Sequence, residues 1–304
     1  MILPTMIYRI VHRTTYRYRF PVSLGNHVAC LKPRNLRHQR LISNSLAIQP
    51  TPATLTERPD YFGNTLCFFT VQEPHRDLVV ETCNEVEMDG AAPDLNGPES
   101  NIAWEDVAQL LAGERGPGAM EASQFSFESP RIRIRPEFGA YALQSFTPGR
   151  PVVEALLDLT ARIHTDFRFD AKSTNVRTPT EEVFKKRRGV CQDFAHVQIA
   201  CLRSLNLAAR YVSGYLRTYP APGKPRLIGA DASHAWVSAY CAGVGWVDVD
   251  PTNNLVPSDG HVTLAWGRDY GDVSPLRGLI LGGGAHTLRV GVDMEPIKGL
   301  PMVR

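Results

Sequence analysis

Apolar and polar residues recur at two different periods along this chain, and the change between them divides it. Near the start, Tyr8-Arg9-Ile10-Val11-His12-Arg13-Thr14-Thr15-Tyr16-Arg17-Tyr18 is rich in β-branched and aromatic residues, which predicts a strand. Its arginines Arg9, Arg13, Arg17 and Arg19 are interleaved with Tyr8, Tyr16, Tyr18 and Phe20. That spacing is the polar face of a strand rather than a polybasic arm. Leu66 to Val71 and Leu78 to Glu87 continue the pattern, separated by proline and glycine. Residues 1–90 are therefore expected to form an N-terminal all-β domain, a sandwich or small barrel. No residue cluster there suggests chemistry, so its expected role is packing or recognition.

Residues 91–150 read as a linker and mixed connecting segment, with turn-rich stretches on either side of a short helix at Trp104 to Ala112. The period then becomes helical. Val153, Leu156, Leu157, Leu159 and Ile163 recur on one face of a helix over Val152 to Asp166. Thr178-Pro179-Thr180-Glu181 reads as the next helix start, with Thr178 as cap, Pro179 in the first turn and Glu181 as capping-box partner. Lys185, Lys186, Arg187 and Arg188 suit the negative helix end, and Gly189 is the expected C-terminal cap. A further helix follows from Cys191 to about Leu205. Its expected core stripe is Phe194, Val197, Cys201, Leu202 and Leu205, and Asn206 is a left-handed stop. Strands are predicted at Ala208 to Leu216, His234 to Tyr240 and Trp246 to Asp250, the last two joined by a turn at Cys241 to Gly245. An odd-length turn pairs even residues with even ones, so His234 and Asp250 share a face, opposite or diagonal to one another. Residues 151–304 are thus expected to be an α+β core ending in a β segment.

The bulk properties exclude several classes. With 304 residues, 43% hydrophobic and 21% charged content, the chain suits a globular protein of about two domains. A net charge of +2 argues against nucleic acid or an anionic membrane as partner. No run of about 18 apolar residues occurs, so no transmembrane helix is expected, and no signal-peptide pattern opens the chain. Six scattered cysteines without a Cys-x-x-Cys pair suit a reduced, cytoplasmic protein.

One cysteine differs from the rest in context. Cys191 lies just past a glycine and opens a helix, where unpaired N–H groups and the dipole favour an anion. A free thiol, with a pKa near 8.5, is only partly ionised at neutral pH. A neighbouring imidazolium from His234 would make it an activated nucleophile. Asp250 could accept a hydrogen bond from that imidazole and fix its tautomer. The first oxyanion donor suggested is the backbone N–H of Cys191, with Gln192 second.

Gly189-Val190-Cys191-Gln192-Asp193-Phe194-Ala195, His234-Ala235-Trp236-Val237 and Asp250-Pro251-Thr252-Asn253 resemble the three signatures of the transglutaminase-like superfamily. They surround its Cys, His and Asp in the same chain order. The β-rich N-terminus and Gly267-Arg268-Asp269-Tyr270-Gly271-Asp272-Val273 resemble the bacterial subfamily that carries its own N-terminal β domain. The resemblance implies a papain-like α+β core, with the cysteine helix packed on an antiparallel sheet. It also implies Cys191 as nucleophile, His234 as base and acid, and Asp250 as orienting carboxylate. Reactions in the superfamily pass through a thioester, and either water or an amine resolves it. Three readings follow. The first is a cysteine peptidase or amidase acting on a peptide or protein, the second a protein-glutamine transglutaminase, the third a non-catalytic binding module.

Other residues take quieter readings. Asp248 lies on the same predicted face as Asp250, but the Asp-Pro-Thr match favours Asp250. Asp193 suits a first-turn carboxylate. His196 lies about 140° around the helix from Cys191 and suits a structural histidine. A zinc site from Cys191, Asp193 and His196 would need directions that diverge. Trp236 is expected to pack over the site or in the core, and His164, His261 and His286 have no motif context. No acidic loop of calcium-site spacing occurs, so no metal or cofactor is expected. The stretch Arg217 to Ser233, rich in proline and glycine, is expected to border the cleft as a surface loop.

Overall fold

The computed structural model describes residues 5–89, 95, 97–113, 118–218 and 232–297. The N-terminal part holds β1 (Met6–Ala29), β2 (Gln39–Gln49), β3 (Thr54–Pro59), β4 (Thr65–Val71) and β5 (His75–Met88). Helices α1 (Trp104–Ala112), α2 (Ala119–Ser123), α3 (Pro136–Ala142) and α4 (Val152–Asp166) follow. Then come β6 (Arg168–Phe169), α5 (Thr180–Lys186), β7 (Arg188–Gly189) and α6 (Cys191–Arg203). The chain continues through β8 (Ala209–Leu216), β9 (Ala232–Cys241), β10 (Gly245–Val249) and β11 (His261–Gly267) to β12 (Leu276–Gly282) and β13 (His286–Pro296).

β1 is long because it serves both halves of one curled, seven-stranded antiparallel sheet. Its first half pairs with β5 and β13, and after an irregularity between Arg17 and Val22 its second half pairs with β4 and β12. The expected polar face is present. Arg9, Arg13, Arg17 and Arg19 are exposed, and Arg13 and Arg17 pair with Glu81 and Asp77 directly across on β5. The curl encloses its own apolar cluster of Tyr18, Val22, Phe69, Val71, Leu78 and Val80. β2, β3, β12 and β13 carry many exposed residues, so their apolar period is weak.

The second layer is α+β. β10-β9-β8-β11 form an antiparallel sheet, and α6 packs against β8 and β9. Described residues between 98 and 150 pack into this core: Val107, Leu111, Phe125, Ile132 and Phe138 share one apolar cluster with Phe194 and Leu202 of α6. That cluster also takes in Tyr8 and Ile10 of β1 and Val292 and Met294 of β13. The strands β1 and β13 therefore meet in the curled sheet, and one face of that sheet lies on the second layer.

α6 departs from the expected amphipathic stripe, because all its residues from Asp193 to Arg203 are buried. A helix covered on all sides must satisfy its polar side chains internally. Gln198 donates to the Thr160 hydroxyl at 2.8 Å. Arg203 donates to the carbonyls of Phe125, Ala209 and Arg268 at 2.8, 2.8 and 2.7 Å. Burial still pulls its guanidinium down to about 9. Left unpaired, that charge would cost several kcal/mol; bonded, it ties the far end of α6 to three segments. Such a helix is a rigid mount for the residue at its start.

Candidate active site

The chain turns sharply before Cys191, by a different route from the expected one. α5 starts after Pro179 with no side-chain cap, while the Thr178 hydroxyl accepts the Asn175 N–H at 3.0 Å. The left-handed cap is Arg187, at φ 53°, not Gly189. Its guanidinium lies over the rings of Tyr141, Phe167 and Phe184, at 4.6, 4.6 and 4.2 Å. These contacts hold a conformation that a non-glycine residue otherwise disfavours. Gly189 is needed for space: a Cβ there would stand 2.6 Å from Asp193 Oδ2 and 2.7 Å from Asp193 Cβ. The Asp193 carboxylate accepts the Val190 N–H at 2.8 Å and the Thr174 hydroxyl at 2.6 Å. Burial pushes this carboxyl up and the two donors oppose that shift. Asp193 thus caps the helix that Cys191 opens, and the N–H groups of Cys191 and Gln192 have no preceding helical carbonyl to receive them.

His234 lies on β9, buried, with Nε2 at 2.7 Å from Asp250 Oδ2. The β9–β10 register, with Val237 opposite Val249 and Ser238 opposite Asp248, puts Asp250 one step past the ladder and diagonal to His234. Asp248 is engaged elsewhere, accepting Trp236 Nε1 at 2.9 Å. Trp236 itself is fully buried, and it lies over Gly214, where a Cβ would stand 2.3 Å from the indole.

Asp250 is solvated by the protein. Oδ1 accepts the backbone N–H of Thr252 and Asn253, at 2.9 and 3.2 Å. Oδ2 accepts Asn253 Nδ2 at 2.7 Å and His261 Nε2 at 3.2 Å, besides His234. Burial works against its charge, but the bonds from His234 and His261 hold the carboxyl far below the usual range. Burial also disfavours the His234 imidazolium; the bonds to Asp250 and Cys191 outweigh it and raise its pKa to about 10. His261 carries no sequence motif, and its role comes only from the fold: it begins β11 and stands edge-on to the Trp236 ring, 5.3 Å between centroids. His164, also without a motif, holds the Thr252 carbonyl at 2.9 Å through Nδ1, steadying the turn after Asp250. His286 borders Tyr16 and Tyr18.

A cavity of about 340 Å³ contains Cys191, Gln192 and His234 among its lining residues. Larger hollows, about 590 and 680 Å³, lie elsewhere, but neither is lined by a thiol. Chemistry rather than size therefore picks the site. Residues 219–231 of the expected bordering loop lie outside the described residues; Ser233, at its end, lines the cavity.

Two other histidines are held neutral chiefly by burial. His196 Nε2 accepts the Tyr270 backbone N–H at 3.2 Å, which requires a free lone pair; burial pulls its pKa down to about 3. His12, in the cavity wall, contacts the Tyr215 and Thr14 hydroxyls at 3.0 and 3.1 Å, and burial lowers it to about 4. A group whose folded pKa lies below its unfolded value binds fewer protons when folded, so stability falls as pH drops through that interval. For His12 the interval runs from 6.5 to about 4 and corresponds to about 3 kcal/mol. Urea midpoints are expected to fall between pH 7 and pH 4.5, and His12→Gln should flatten that slope. An unchanged slope would show that His12 does not contribute to it.

The ligand atoms of His234, Asp250 and His261 lie within 4.8 Å of one another, a donor set that could hold zinc. Both imidazoles, however, already direct Nε2 at Asp250 Oδ2. A cation there would replace the bond that orients His234. The set therefore fits a hydrogen-bonded carboxylate better than a metal centre.

Residues 8–87 match the family described as the bacterial transglutaminase-like N-terminal region, and residues 140–251 match the transglutaminase-like superfamily core. An uncharacterised protein of Mycobacterium tuberculosis is 42% identical over 299 residues, covering 96% of this chain and 93% of that protein. A protein-glutamine gamma-glutamyltransferase of Pseudomonas aeruginosa is 31% identical over 97 residues, 31% of this chain and 14% of that one. A solved chain from Cytophaga hutchinsonii, described as a candidate cysteine protease, superposes with a TM-score of 0.77 at 22% identity, covering 97% of this chain and 92% of that one. That last likeness concerns the fold. Fold and family together place the protein in a class of thiol enzymes. The chain belongs to the transglutaminase-like superfamily, in the bacterial branch with an N-terminal β region. No helix among the described residues is long and apolar enough to cross a membrane.

Proposed function

We propose that the protein is a thiol acyl-transfer enzyme that cleaves peptide or amide bonds, with Cys191 as nucleophile, His234 as acid and base, and Asp250 as orienting carboxylate. The observation that carries this reading is one cavity holding a helix-opening thiol and a histidine fixed by a 2.7 Å bond to a buried carboxylate. The Cys191 sulfur attacks the carbonyl carbon, the C–N bond breaks, and His234 gives its proton to the leaving amine. Water, deprotonated by His234, then attacks the thioester; the C–S bond breaks and the acid leaves. In this reaction the N–H groups at the start of α6 receive the developing oxyanion. All six cysteines are unpaired, which suits a reducing cytoplasm. The substrate is a peptide or protein rather than nucleic acid or lipid.

The local likeness to a gamma-glutamyltransferase supports a second reading, in which an amine replaces water as acyl acceptor. Mass spectrometry of a peptide library, incubated with and without a primary amine, separates the two. Shortened or deamidated peptides are expected, and amine adducts as the main products would favour transfer. If Cys191 alkylates with iodoacetamide no faster than free cysteine, and His234→Ala changes nothing, the chain is a binding module instead.

A further inference from the structure

The cavity has a second wall, supplied by the curled sheet, that the thiol chemistry does not use. β1 and β13 pair residue by residue: Ile10 faces Met294, His12 faces Val292, Thr14 faces Val290 and Tyr16 faces Leu288. Alternate residues of a strand share one face, so these pairs form one continuous surface. At Ile10, Met294 and Val292 it is buried against the second layer. Farther along it leaves that contact. Val290 is 51% and Leu288 50% exposed, and both border the cavity with Cys191.

The character of this wall constrains what can lie against it. Among the described lining residues there is no Asp, Glu, Lys or Arg. A charged substrate side chain set against Leu288 and Val290 would lose water and gain no charged partner from that wall. An apolar one would cover Leu288 and Val290 and bury their surface. A site of this kind, mostly apolar with a few polar groups near the chemistry, is how binding pockets fix orientation.

We infer that Leu288 and Val290 of β13, with Tyr16 of β1, form an apolar subsite for the acyl side of the substrate. The enzyme accordingly selects acyl donors that carry a bulky apolar side chain next to the reacting carbonyl. This gives the N-terminal sheet and the C-terminal strand a direct part in specificity. It rests on the thiol-enzyme reading given above.

The test uses the whole chain and two matched probes, N-acetyl-leucyl and N-acetyl-aspartyl chloromethyl ketones. Labelling of Cys191 is followed by mass spectrometry, with each rate normalised to iodoacetamide labelling of the same protein. The leucyl probe is expected to react at least about tenfold faster than the aspartyl one, in line with a hydrophobic-pocket contact. Leu288→Asp should cut that preference by about tenfold, and Val290→Ser should weaken it less. Equal rates for the two probes, or an unchanged preference in Leu288→Asp, would overturn the subsite while leaving the thiol chemistry standing. Failure of every probe to label Cys191, iodoacetamide included, would instead overturn the thiol-enzyme reading and the subsite with it.

Discussion

Cys191→Ala is expected to lower kcat/KM by about 10⁴-fold or more, and His234→Ala by a comparable factor. The first removes the proposed attacking atom. In the proposed reaction the second removes the group that carries the proton to the leaving amine. The two act as one unit, so the double variant should lose little beyond either single one. Multiplicative losses would mean two independent contributions and would contradict their acting as one unit. Cys191 is only half-buried at a helix start, so alanine there should cost little stability, and thermal melts provide the control. Turnover in Cys191→Ala within about tenfold of the parent would exclude a thioester route. The measurement is kcat/KM for all four proteins on one substrate from the peptide screen.

Asp250 should show the next largest effect, on both stability and rate. Its carboxylate receives His234, His261, Asn253 and two backbone N–H groups. Asp250→Ala leaves these buried donors without an acceptor, and breaking one buried charged pair alone costs about 3–5 kcal/mol. Asp250→Asn keeps the shape and several of the bonds. Its amide nitrogen, however, faces Nε2 and selects the wrong imidazole tautomer, with an expected rate loss of about 10³–10⁴-fold.

The pH dependence provides a separate check on that bond. His234 has a raised folded pKa, so its contribution to stability is complete below its unfolded value of 6.5 and is lost as pH rises through about 10. The stability gap between parent and Asp250→Asn should therefore be widest near pH 6 and narrow by pH 10. Urea unfolding at pH 6, 8 and 10 measures it. A gap that stays constant over this range would show that the His234–Asp250 bond does not set the titration.

How much of this is legible along the chain depends on sequence distance. α1 and α4 can be read from the sequence because helical periodicity is local. α6 can be read at its start, since Cys191 follows a forced turn. The details of that turn are not legible: Arg187 takes the left-handed position because three aromatic rings, two of them outside α5, close over its guanidinium. β2, β3, β12 and β13 fall in stretches expected to be β-structure, but their individual bounds are not legible, for a related reason. They are strands because a neighbour pairs with them, and their exposed faces carry little apolar period.

By itself, the sequence determined which elements exist where patterns are strong, and which thiol, imidazole and carboxylate merit attention. Tertiary structure decided what surrounds them. It assigned Asp248 to Trp236 and Asp250 to His234, choices that two residues of equal chemistry on one strand face leave open. It brought His261 to the same carboxylate from a strand with no motif. It also folded the last strand, β13, back onto β1 and set Leu288 and Val290 beside Cys191, about 100 residues distant along the chain. Contacts of that kind follow from how two sheets curl and pack, and no window of neighbouring residues encodes them.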